Sequence, residues 1–400
     1  MDVLIHGRVA PVSVTPPSAT PPLGEEQIIG IGAAPADITL DLGELHPSGH
    51  GAMRVRCSFT DVDGAVRVAT AEPVPGLLHR GTEKLLEVRD YRAGLMLANR
   101  HDWLSAVTSE VTMALAVEEL LGLTPPPRAT WVRTLLCEMN RAMAGLMHLA
   151  GAATLPGRGV SAREVPGMAA REAWQYALER ISGGRIHAMI TRIGGVANDA
   201  PEGWFDDVRA AVAATREQLP RLRELAVSAV SGDGVAVLSH EDAMAYSVSG
   251  PVARASGLDL DLRRDSPSLA YAELADVVQV IVRDEGDAAA RYAVLADQIA
   301  ADLDVIEACI DRMPDGEVNV QLPKVVRAPE GTAYAWLEAA TGINGVLVVS
   351  TGDTTPWRVR LRTASYANVQ AMSAALPGTA LADLPAAIGS FLFIVGDLDH

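Results

Sequence analysis

Cysteine is scarce: the 400 residues hold three, Cys57, Cys137 and Cys309, and no two of them form a C-x-x-C pair. That argues against a disulfide framework and against a self-contained zinc or iron-sulfur site, and fits small buried thiols in a reducing compartment. Basic residues are outnumbered, 33 Lys and Arg against 50 Asp and Glu, for a formal charge of -17. No long basic block occurs, so a nucleic acid or an anionic lipid surface, either of which needs clustered Lys and Arg, is not expected as a partner. Also missing is any charge-free apolar run of about 18 residues, and the start, MDVLIHGRVAPV, lacks a signal-peptide layout. These absences point to a soluble, cytoplasmic chain and leave a peripheral membrane position open. A nucleotide loop is lacking too, since GIGAAP around Gly30 and Gly32 has no third glycine and no convincing helix after it.

What is present is enough apolar sequence, 49%, to bury a large core. Residues 1–37 carry Pro11, Pro16, Pro17, Pro21 and Pro22 with little periodicity, which reads as a flexible or irregular extension. A short strand at 38–41 follows, and AMRVRCSFTD and AVRVATAE flank Asp63-Gly64, a hairpin signal that places a small antiparallel sheet here. Helices dominate from Leu104. The first has Asp102 as its expected N-cap, Leu104, Val107, Val111, Leu115 and Leu121 at helical spacing, and Gly122 with three prolines after it as the stop. Others are expected over 129–151, 170–182 and 204–230, with a helical pair over 269–282 and 287–313, together making a bundle. VLVVS and WRVRLR read as strands lying near the N-terminal sheet, with a last helix at 366–375. The fold class is a mostly helical α+β protein.

Two stretches carry polar groups suited to chemistry. HPSGHG holds His46 and His50, whose imidazoles titrate near neutrality; with no acidic or thiol neighbour, the residues alone favour a structural role over a ligand role. The run 79–122 holds Arg80, Glu83, Lys84, Arg89, Asp90, Arg100 and Asp102, which alone read as a solvated or salt-bridged surface.

That run, HRGTEKLLEVRDYRAGLMLANRHDWLSAVTSEVTMALAVEELLG, resembles the D-type subunit of the proton-pumping NADH:quinone oxidoreductase, respiratory complex I, a family related to the large subunit of nickel-iron hydrogenases. The likeness continues in order through PPPRATWVRTLLCEMNR, ISGGRIHAMITRIGGVANDAP, VSGPVARASGLDLDLRRDSP, RLRTASYANVQ and the terminal GDLD, covering nearly the whole chain after residue 38. It implies a hydrogenase-large-subunit-like helical bundle with a small antiparallel sheet, built as one unit over 38–400: a β region at 38–75, the bundle at 79–320 and a C-terminal α+β region at 321–400. The two C-x-x-C pairs that hold the hydrogenase metals are missing, so hydrogen activation is excluded by ligand count.

The resemblance also implies a role. It is that of a peripheral-arm subunit on the cytoplasmic side of the cell membrane, enclosing quinone together with subunits of B, C, I and H type, with no metal of its own. The terminal [4Fe-4S] cluster sits in the B-type subunit, and NADH is not expected to bind this chain. His50 matches the histidine that hydrogen-bonds the quinone headgroup and can hand it a proton, with His46 in the same loop, and Arg80 and His187 match residues flanking the cluster. Other positions depart from the family. Trp103 stands where a tyrosine donates to the quinone, Leu155 where an aspartate is usual, Gly145 where a histidine is, and EAATGI, beginning at Glu338, where relatives have E-S-A-R-G-E. The quinone chamber thus draws on His46, Leu155 and Glu338, with His50 and Trp103 as its catalytic pair. The departures keep a second reading open, a non-catalytic scaffold or assembly paralogue.

Overall fold

The computed structural model describes residues 37–41, 53–155 and 165–400. The extension expected at 1–37 lies outside the described residues except for Asp37, and both His46 and His50 lie outside them as well. The chain enters at β1 (Asp37–Asp41), which pairs antiparallel with β2 (Arg54–Val62), and β2 turns into β3 (Ala65–Val74). Asp63 and Gly64 form the turn, both at positive φ (55° and 80°), the geometry that matches the twist of a tight hairpin.

Where the charges alone read as a solvated or salt-bridged surface, the structure has two helices, α1 (Thr82–Glu87) and α2 (Tyr91–His101). Asp90 caps α2 by accepting the Ala93 N–H, and Tyr91, Leu95 and Ala98 face inward at a spacing of four and three. This changes the start of α3 (Ala106–Leu121), because α2 runs on through His101. Asp102 is therefore not the N-cap; it closes α2, and its Oδ1 accepts the Ser105 N–H at 2.9 Å inside a tight corner. Pro127 then opens α4 (Pro127–Ala153), at a position where a missing N–H leaves no bond unmade.

α4, α5 (Met168–Ser182) and α6 (Trp204–Val227) build the bundle, with a two-residue ladder of β4 (Thr191–Arg192) and β5 (Gly195–Val196) between the last two. Short helices α7 (His240–Ala245), α8 (Gly250–Arg254) and α9 (Leu262–Asp265) lead to α10 (Ala288–Asp311), which completes it. The helix expected at 269–282 does not form. Leu269 has φ 55°, single turns close at Tyr271, Leu274 and Val277, and the segment is fastened to α4 by Ala270 N–H to Thr134 Oγ1 (3.1 Å) and Tyr271 OH to Glu138 Oε1 (2.6 Å). Tertiary anchoring overrides the apolar spacing that reads as helix.

β6 (Gly331–Glu338), β7 (Ile343–Ser350) and β8 (Arg358–Arg362) make a separate antiparallel sheet in that order. The sequence places its strands near the N-terminal sheet, but they form a separate sheet with a separate core. Its inner residues Ala335, Val346, Val348 and Val359 pack on Leu95, Met113 and Val117, so α3 is covered by the sheet on one side and the bundle on the other. The N-terminal sheet is covered by α11 (Ala364–Gln370), α12 (Met372–Ala375) and α13 (Leu384–Ser390), followed by α14 (Val395–Leu398); Val55, Cys57 and Val68 meet Val369, Met372 and Phe391 there. Among the described residues no helix is long and apolar enough to cross a membrane.

Candidate functional site

Three of the expected site residues lie around the corner between α2 and α3, each against a different residue there. Arg80, in the loop before α1, extends over the end of α2 with its guanidinium 3.4 Å from the Arg100 carbonyl oxygen. The backbone of α14 passes under it: a Cβ on Gly396 would lie 2.5 Å from the His101 carbonyl oxygen and 3.4 Å from Arg80 Nη2, so glycine in the terminal GDLD permits this approach. His187, in the loop after α5, is half-buried and pairs through Nδ1 with Asn99 Oδ1. Burial, aided by the Arg100 charge, holds its imidazole below the usual pKa, which favours the neutral ring. Trp103 is half-buried in the corner itself, in a cleft of about 20 Å³ with Leu104, Met143, Met147, Arg171 and Ile186.

Under the corner lies a buried acid pair that sequence reasoning did not single out. His101 Nδ1 donates to the Ala98 carbonyl at 2.7 Å, which turns Nε2 toward Asp397 Oδ1 at 3.6 Å. Burial first, and the Asp397 charge second, push the Asp102 carboxyl up to about 7. Burial also raises Asp397 and lowers His101. Asp102 Oδ2 and Asp397 Oδ1 have no hydrogen-bond partner among the described residues, an unusual state for buried polar atoms.

The remaining expectations fall elsewhere. Glu338 is 3% exposed, with Oε1 taking Arg254 Nη1 at 2.9 Å and Oε2 the Leu262 N–H at 3.2 Å. It belongs to an ionic network of Glu138, Arg141, Arg254, Asp261, Arg263 and Asp302 and is not brought to the corner. The loop after it does touch the corner, through Ala340 N–H to Ser105 Oγ at 3.3 Å. Leu155 is buried with Val230, Ala288 and Ala386, away from Trp103. Gly145 lies where α4 meets α10, and a Cβ there would come within 2.5 Å of Ile299 Cδ1. A side chain enters that space only by displacing Ile299, which gives the departure from histidine at this position a steric reason.

A larger groove, about 520 Å³, runs along α2 and the loop carrying β4, lined by Arg92, Leu95, Met96, Glu110, Met189 and Arg192, and includes none of Arg80, Trp103 and His187. Among the described residues no group of three or more His, Cys, Asp or Glu could hold a metal ion. All three cysteines are buried, and burial pushes the Cys57 and Cys137 thiols up to about 12.

Known proteins resemble this chain in sequence and fold. The family model described as respiratory-chain NADH dehydrogenase, 49 Kd subunit, matches residues 159–328 and 322–400. The D-type subunit 2 of NADH-quinone oxidoreductase from Salinispora tropica is 50% identical over 384 residues, covering 94% of this chain and 97% of that one. The D-type subunit 1 of the same oxidoreductase from Streptomyces coelicolor is 48% identical over 392 residues, covering 94% and 98%. Among solved structures, a chain of the membrane-bound sulfane sulfur reductase, an archaeal respiratory membrane complex, superposes with a TM-score of 0.83 at 31% identity, covering 93% of this chain and all of that one. With the hydrogenase-like α+β architecture in place and relatives matched nearly end to end, the chain belongs to the respiratory-chain NADH dehydrogenase 49 Kd subunit family, the D-type subunits of NADH-quinone oxidoreductase.

Proposed function

We propose that this chain forms one wall of the quinone chamber in such an oxidoreductase, next to the terminal [4Fe-4S] cluster of a B-type subunit, on the cytoplasmic side of the membrane. Subunits of C, I and H type complete the surroundings. The observation that carries the reading is the gathering of Arg80 and Trp103, from the run 79–122, and of His187, from the loop after α5, around the α2–α3 corner. The half-exposed indole over Leu104, Met143, Met147 and Ile186 offers an aromatic headgroup an apolar stacking surface. At about 20 Å³ the cleft has room for about one water, so a headgroup needs a further wall, which a partner subunit would supply.

Electrons reach the quinone from the partner's cluster, which supplies the redox chemistry. Arg80 contributes a permanent positive charge that favours the reduced cluster, and His187 a neutral imidazole able to take up a proton as negative charge arrives. His50, outside the described residues, is the histidine that the resemblance assigns to hydrogen-bonding the headgroup and passing it a proton.

The test is quinone reduction by the assembled complex. Trp103→Tyr keeps or raises activity, whereas Trp103→Phe, lacking the N–H, lowers kcat/KM by roughly 1–3 kcal/mol of transition-state stabilisation. His50→Ala lowers it further. If the wild-type complex has no inhibitor-sensitive quinone reductase activity, or all three variants match it, the scaffold reading replaces this one. A different acceptor is the second reading, favoured by Trp103 in place of the phenol and by the fold shared with a complex that reduces sulfane sulfur.

A further inference from the structure

Asn99 is fully buried at the end of α2, and its two amide atoms face opposite chemistry. Its Nδ2 donates to Glu110 Oε1, in a short contact, and to the Ala106 carbonyl at 3.4 Å. Glu110 is itself held from the far side by the Thr191 N–H, which donates to Oε2 at 3.1 Å. On the other side Asn99 Oδ1 accepts from Arg100 Nη1 at 2.6 Å and faces His187 Nδ1. A guanidinium has donors only, so the amide cannot be turned over without setting N–H against N–H and carbonyl against carboxylate. With Oδ1 fixed toward the imidazole, His187 Nδ1 has to carry the hydrogen.

We propose that Asn99, held by Arg100 and Glu110, is a positioning residue that locks His187 as its Nδ1–H tautomer, so that Nε2 is the nitrogen that takes up and releases the proton. The charged groups facing this ring are Arg100 from α2 and, through Asn99, Glu110 from α3; Arg185 on its own loop is drawn aside by Glu172 and Glu179 of α5. A free histidine in water favours the opposite tautomer, so the lock has a spectroscopic signature. Its consequence for electron transfer rests on the proposed place of His187 beside the cluster; the tautomer itself does not.

The experiment is nitrogen NMR of the full chain carrying labelled histidine, with the His187 signals assigned by their loss in His187→Gln. At alkaline pH the wild type shows Nδ1 protonated and Nε2 bare, and on acidification the new proton appears at Nε2. Asn99→Leu, which offers no acceptor, returns the ring to the Nε2–H form. Asn99→Asp keeps Nδ1–H and raises the imidazole pKa by roughly 1 unit or more, a carboxylate now facing the ring. A wild-type His187 with Nε2–H, or an Asn99→Leu variant with an unchanged tautomer, overturns the proposal; if Asn99→Leu does not fold, the wild-type and Asn99→Asp spectra decide it. In the assembled complex Asn99→Asp moves the pH dependence of the cluster potential to higher pH. A lock seen by NMR with no such movement keeps the tautomer assignment and removes His187 from the cluster's surroundings.

Discussion

Beneath β6, Arg141, Arg254 and Arg263 are interleaved with Glu138, Asp261, Asp302 and Glu338, all nearly inaccessible to solvent, while at the α2–α3 corner Asp102, Asp397 and His101 are equally buried and the guanidinium carriers Arg80 and Arg100 are exposed. In the network Arg263 alone reaches Glu138 (3.1 Å), Asp302 (2.7 Å) and both oxygens of Asp261 (2.8 and 3.0 Å). Burial would raise Asp261, but Arg263 and Arg254 override it and hold its carboxyl well below the ordinary range. At the corner burial wins for both acids, as it also does for Glu338 at the edge of the network, where Asp302 Oδ2 and Arg254 Nε lack a hydrogen-bond partner among the described residues. Buried charge held by several cations, as at Asp261, fixes a fold; buried acid with no close cation stays able to exchange protons at neutral pH. That is the physical reason to look for function at the corner and for stability in the network.

The contrast is sharpest at Arg263. Arg263→Met takes a guanidinium partner from three buried carboxylates, which keep side-chain contacts only with Arg141, Arg254, Tyr271 and Gln298, and lowers stability by about 3–5 kcal/mol, read as a fall in the urea midpoint at constant slope. A loss below about 1 kcal/mol would put the network on the same footing as surface pairs.

Next in size is Gly145→Ala, which forces a methyl against Ile299 and Leu295 and costs about 1–3 kcal/mol. Pairing it with Ile299→Val should recover part of the loss.

At the corner the expected effect is one of pH. Because the folded-state pKa of Asp102, about 7, lies above its ordinary 3.8, the folded chain binds more protons than the unfolded one between those values. Its contribution is fully present below the ordinary value and is lost as pH rises through about 7. Asp102→Asn removes that slope, so relative to wild type it gains stability on going from pH 5 to pH 8. Parallel denaturation curves at the two pH values check this, and a constant difference between the proteins would mean Asp102 ionises normally.

The smallest effect belongs to the surface. Arg216 contacts Asp304 at 2.6 Å and Glu307 at 2.7 Å, but the groups are solvent-exposed, and Arg216→Ala should cost less than about 1 kcal/mol and vanish in high salt.

The sequence is most legible where a pattern is local and long. α4, α5, α6 and α10 repeat apolar residues over many turns, and the hairpin at Asp63-Gly64 has its own turn chemistry. It is least legible where partners are distant. The segment at 269–282 has helix-like spacing but is captured by Thr134 and Glu138 on another element. The network residues are single charges in ordinary runs, and nothing local shows that Glu138, Arg263 and Glu338 meet. At the site the family likeness directs attention to Arg80, Trp103 and His187, whereas Asn99, Glu110 and Asp397 emerge only from the packing. Asp90 and the Tyr91, Leu95, Ala98 spacing do signal α2, and that signal lies in plain view beneath the charges around it.

The close passage of α4 and α10 at Gly145 couples two positions that lie far apart in the chain. With Ile299 and Leu295 filling the space a side chain would need, any larger residue at 145 requires those neighbours to shift or be trimmed, so substitutions at 145 and 299 should be non-additive, each tolerated better beside the other than alone.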